Sequence, residues 1–85
     1  MSHGEYAPPV EAVQQGIAAV REEPDASLLA ELEDEQRAAG TNLEWYGITG
    51  SVFERFLASR PLSPQTRAAL EKATHAVRVI FGSAT

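Results

Sequence analysis

Apolar residues along this chain recur at intervals of three and four. Val10, Val13, Ile17 and Val20 follow one another at spacings of three, four and three, which places them on one face of an α-helix. Pro8 and Pro9 precede the stripe, and Pro9 suits a first helical turn because the N–H it lacks is not needed there. The run "REEPDAS" should end this helix at Pro24, with Asp25 or Ser27 capping the next by accepting a free backbone N–H. Near the other end, Leu70, Ala73, Val77 and Ile80 repeat the three-four-three seam, with Phe81 beside it. Ser63 is a good N-cap, Pro64 a good first residue, and Gly82 stands where a left-handed C-terminal residue is wanted. Pro61 separates this last helix from what precedes it. No segment alternates β-branched and polar residues long enough to make a strand, so the chain reads as all-α.

The middle of the chain carries the functional question. Positions 29, 32, 36, 39, 43, 46, 50, 53 and 57 keep a heptad phase and read Leu, Leu, Gln, Ala, Leu, Tyr, Gly, Phe, Leu. One helix over residues 27–60 would preserve that phase and would be roughly 50 Å long. Gly40-Thr41-Asn42 is the place for a local kink or break, since each helical glycine costs about 1 kcal/mol relative to alanine. The expected fold is a small helical bundle with a long central helix. A single helical domain over residues 9–82 would lie between a flexible N-terminus (1–8) and a short tail (83–85). The shorter helices cannot cover so long an apolar seam, which points to a homodimer whose interface uses Leu43, Tyr46, Gly50, Phe53 and Leu57. Trp45 falls off that seam. With Arg55 and Phe56 it forms the expected contact patch for another protein, rimmed by Glu44.

The same residues have a second reading. Gly47 can be the turn of a helix-turn-helix, flanked by Tyr46 and Ile48, with Phe53 and Phe56 anchoring the second helix. The stretch "GITGSVFERFLASRPLSPQTRAAL" resembles the DNA-binding headpiece of the lactose-repressor family over about residues 47–71. In that family a Gly-Val-Ser-like turn leads into a recognition helix. A short loop and a Ser-Pro-Glu-Thr-Arg-like helix start follow, matched here by Ser63, Pro64, Gln65, Thr66 and Arg67. The resemblance implies a transcription regulator contacting DNA through Thr49, Ser51, Arg55 and Arg67. Leu43 departs from the pattern, standing where the family has a small residue.

Charge favours the first reading. The net charge is −5. Residues 1–46 hold ten acids and two arginines, and residues 47–85 hold two acids and five bases. The acidic half suits a basic protein surface and would repel nucleic acid, whose non-specific affinity comes from cations set against phosphates. Zero cysteines exclude disulfides and thiolate chemistry, and no apolar run approaches the ~20 residues of a membrane helix. With no basic region leading into an apolar stretch at the N-terminus, a cytoplasmic location is expected. His75 follows Glu71 by one helical turn, a pair that is ordinary surface decoration far more often than a metal site. Glu31, Glu33, Asp34 and Glu35 lack calcium-loop spacing. No catalytic residue, metal or cofactor is expected. The function expected is that of a small inhibitor or anti-activator masking the surface of another protein, a transcription regulator being one candidate.

Overall fold

A computed structural model describes residues 9–82; the expectations for residues 1–8 and 83–85 lie outside the described residues. Four helices make up the described part: α1 (Pro9–Glu22), α2 (Ala26–Gln36), α3 (Asn42–Ser59) and α4 (Pro64–Gly82). The small all-α bundle that the periodicity implies is the fold. The expected central helix over 27–60 is instead two helices, α2 and α3, separated at residues 37–41.

Local hydrogen bonding explains that division. Thr41 leaves the helical conformation (φ −138°, ψ 165°), and its hydroxyl accepts the Glu44 N–H at 3.1 Å. Glu44 reaches back and accepts the Gly40 N–H at 2.7 Å. Two donors that a helix start leaves unpaired are thus satisfied by a Thr-x-x-Glu arrangement, a variant of the capping box. Asp25 does the same for α2, accepting the Ser27 N–H at 3.0 Å. Ser63 caps α4 through the Thr66 N–H, and Pro64 is its first residue as expected. Gly82 closes α4, but no described glycine has a positive φ, so the left-handed terminus expected there is not formed.

The helices run alternately up and down. Gly47 faces Phe81 and Gly50 faces Val77, so α3 and α4 are antiparallel. Gly16 meets Ala73 while Ala19 accepts from Thr66, so α1 is antiparallel to α4 as well. Gln36 bonds to Thr49 and Glu31 to Arg60, which sets α2 antiparallel to α3. Each helix packs on two neighbours in a closed ring, most extensively α1 on α4, and α2 lies lightest of the four. The core joins Val13 and Val20 of α1, Leu28 and Leu32 of α2, Val52, Phe53 and Phe56 of α3, and Leu70, Ala73 and Val77 of α4. Two glycines allow that core to close. A Cβ at Gly16 would stand 2.8 Å from the Phe53 ring, and one at Gly50 would stand 2.9 Å from Val77 Cγ1.

Candidate functional site

Both readings of the sequence place function on α3, and the course of this helix decides which residues reach the surface. α3 runs unbroken through Gly47. The helix-turn-helix turn expected at Gly47 is therefore not formed. The DNA-contact set does not assemble either. Thr49 is fully buried and its hydroxyl accepts from the Gln36 amide at 2.9 Å. Arg67 donates to the Leu57 carbonyl at 3.2 Å. Only Ser51 and Arg55 are exposed, and Arg55 is held by Glu31 at 2.8 Å and Glu35 at 2.7 Å. The hydrogen bonds that Arg55 donates to the Glu35 and Glu31 carboxylates raise its pKa above the ordinary value. Two carboxylates beside the guanidinium neutralise its charge and would repel a phosphate brought to it.

The expected partner patch is also rearranged. Phe56 is buried beneath Arg60, whose guanidinium carbon stands 5.6 Å from the ring centroid. Trp45 is half-buried, packs on the core and meets Tyr46 edge-on at 5.3 Å. Trp45 and Phe56 are eleven residues apart, three helical turns, so they share a face. That face also holds Thr49 and Val52, and it points inward. Glu44 is exposed as expected, but its carboxylate is engaged in capping α3.

Of the five residues expected at a dimer interface, Gly50 and Phe53 are buried within one chain, while Tyr46 and Leu57 are half-buried against the same core. Close helix approach at Gly50 is real, but the helix that approaches is the chain's own α4. Leu43 alone of the five is largely exposed, at 55%. It lies one turn beyond the Gly47–Phe81 contact, at the very end of the α3–α4 interface.

What reaches the surface instead is one end of the bundle. The exposed large hydrophobic residues among those described are Val10, Leu43, Val79 and Phe81. They belong to the start of α1, the start of α3 and the end of α4, which the alternating helix directions bring to the same pole. An open groove of about 820 Å³ lies there, with Leu43, Gly47, Ile48 and Phe81 as its apolar lining and Ala38 and Ser51 at its sides. The small residues Gly47 and Ala38 leave room there for an apolar side chain to settle. Phe81 was recognisable in the sequence as an aromatic beside the α4 seam. Its pairing with Leu43 across 38 residues of sequence had no local signal.

The opposite pole is polar. There Glu23, at the end of α1, takes hydrogen bonds from the Ser63 and Thr66 hydroxyls at the start of α4. These bonds hold the Glu23 carboxyl below its ordinary pKa, and the Ser27 hydroxyl and N–H do the same for Asp25. Asp25 is the cap of α2, whereas Glu23 ties the end of α1 to the hydroxyls at the start of α4. Among the described residues, no group of three or more His, Asp or Glu side chains is placed to hold a metal ion. No described helix is long and apolar enough to cross a membrane. No protein-family model matches the chain, and neither a curated protein nor a solved structure matches it.

Proposed function

We propose that this chain is a small regulator that works by binding another protein, covering a functional surface of that partner without chemistry of its own. The observation that carries the reading is an open groove at one pole lined by the exposed Leu43 and Phe81, with Val10 and Val79 exposed elsewhere at the same end of the bundle. Exposed apolar side chains scattered singly are ordinary, whereas a contiguous patch beside a groove is the usual mark of an interaction site. The partner would insert an apolar side chain or helix face between Leu43 and Phe81. A basic rim would suit it, because the chain carries a net charge of −5 and complementary charge speeds encounter.

The DNA reading has less support, since its arginine is clamped and its threonine is internal. A second copy of the chain is another way of covering the same pole, now through Leu43 rather than Phe53. Two measurements test the proposal together. Leu43→Asp should leave folding nearly unchanged and abolish retention of proteins that the wild-type chain retains, whereas Gln65→Asp at the opposite pole should retain them. Identical retention by all three chains would count against the groove. Light scattering at micromolar concentration separates the self-associating case, in which twice the chain mass should fall to one chain in Leu43→Asp.

A further inference from the structure

We infer that α2 is a detachable strap whose opening uncovers a cationic and apolar face on α3, and that this face accepts an acidic amphipathic helix. The face is separate from the Leu43–Phe81 groove. Its opening is a property of the free chain and does not require the protein-binding reading above.

The attachment of α2 is narrow. It contributes two buried side chains, Leu28 and Leu32, whereas α3 and α4 contribute five each. Leu29 packs half-buried on the core, and beyond these leucines α2 is held by polar groups near the surface. Arg55 is gripped by Glu31 and Glu35, and Arg60 by Glu31 at 2.6 Å with Asp25 at 3.9 Å. The side chains involved are about a third to three-fifths exposed, from 32% to 60%, so water and salt weaken each pair. Gln36 bonding to Thr49 completes the set. Turns at both ends of α2, residues 23–25 and 37–41, give it independent joints. Local openings in proteins occur where buried apolar contact is least, and α2 is that element here.

The uncovered face has a definite chemistry. Thr49, Val52 and Phe56 follow at spacings of three and four and form one stripe of α3, with Arg60 just past the helix end and over the Phe56 ring. Its two ends touch α2, through Gln36 at Thr49 and Glu31 at Arg60. With α2 away, Val52 and Phe56 lose a cover, while Arg55 and Arg60 lose their carboxylates. The ligand that matches is shown by α2 itself: two apolar side chains one turn apart, Leu28 and Leu32, flanked by carboxylates at 31 and 35 on the neighbouring edge. Charge complementarity and helical spacing thus define one occupant, an acidic amphipathic helix in the place of α2.

Native-state hydrogen exchange on the full chain tests the strap. Amides in the second half of α2 should exchange at least about tenfold faster than those of Val13–Val20 and Leu70–Val77, with little dependence on denaturant. Leu32→Ala should speed α2 exchange by at least about thirtyfold, and the α1 and α4 amides, which open only with the whole fold, should stay slower than those of α2. Glu31→Gln, a milder variant that serves even if Leu32→Ala does not fold, should speed α2 by a few-fold and keep it ahead of α1 and α4. Equal rates in α2, α1 and α4 of the wild type, or loss of the α2 lead over α1 and α4 in either variant, would overturn the inference. For the acceptor face, a labelled peptide of residues 25–37 should bind Leu32→Ala more tightly than wild type, or Glu31→Gln in its place. The same peptide carrying Glu31→Gln and Glu35→Gln should bind several-fold more weakly. Absence of peptide binding to a variant whose α2 amides have opened would overturn the acceptor assignment.

Discussion

Gly47 and Gly50 lie three residues apart in α3, and replacing each by alanine should change stability in opposite directions. At either site the new methyl removes the backbone entropy that glycine loses on entering a helix, a gain of about 1 kcal/mol. Space decides the rest. At Gly47 the added Cβ would stand 3.5 Å from Phe81 Cζ, an ordinary contact, so most of that gain should remain. At Gly50 it would stand 2.9 Å from Val77 Cγ1 and 3.2 Å from Val77 Cβ. Val77 is β-branched and nearly buried in α4, and such a side chain has one favourable rotamer in a helix. It cannot turn aside, so the two helices must separate. Overpacking of this kind costs about 1–3 kcal/mol, which offsets the helix gain and leaves Gly50→Ala destabilised by up to about 2 kcal/mol. Thermal unfolding followed by circular dichroism resolves the difference, because 1 kcal/mol shifts the midpoint of a domain this size by roughly 4–8 °C. Gly47→Ala should melt higher than wild type and Gly50→Ala lower. The pair also addresses the functional question, since a glycine in the turn of a helix-turn-helix would lose stability on gaining a side chain. A Gly47→Ala variant that melts several degrees lower would refute the continuous α3 and with it the surface assignment built on that helix.

Further expectations follow from individual contacts. Phe53→Ala, which removes a fully buried ring also touching Gly16 of α1, should cost about 3–5 kcal/mol in urea unfolding; a loss under 1 kcal/mol would place Phe53 outside the core. The single tryptophan should emit at intermediate wavelength and be only partly quenched by iodide, since Trp45 packs on the core; full quenching would restore it to the surface. Glu23 and Asp25 both have lowered carboxyl pKa values when folded. Their contribution to stability is present above the ordinary carboxylate pKa and is lost as pH falls through the lowered value. Acid unfolding should therefore be shallower in Glu23→Gln than in wild type, and an unchanged acid limb would show that the Ser63–Thr66 contact does not favour the carboxylate. Leu43→Asp should change stability by no more than about 0.5 kcal/mol, the mark of a residue kept at the surface.

The sequence alone determined the all-α class, because spacings of three and four residues are a local property of each helix and need no partner to be read. It likewise determined the cap at Ser63 and the first-turn proline of α4, and narrowed the α2 cap to Asp25 or Ser27, because the bonding groups lie within a few residues of one another. The break between α2 and α3 was also written locally, in Gly40-Thr41-Asn42 and the capping pattern that ends at Glu44, but a heptad count carried across it set both helices in one phase. That count put Leu43 on the buried seam and Trp45 off it. Once α3 restarts at Asn42, the inward face leads from Trp45 through Thr49 to Phe56. Whether Leu43 is covered then depends on how far α4 extends alongside α3, a matter of length and register that no local pattern records. Only the tertiary structure could give Gly50 to Val77 of the same chain, set Glu31 and Glu35 on Arg55, and bring Phe81 to the groove beside Leu43. Each of these joins residues 20 or more positions apart, and helical periodicity says which side of a helix is apolar without saying what will meet it.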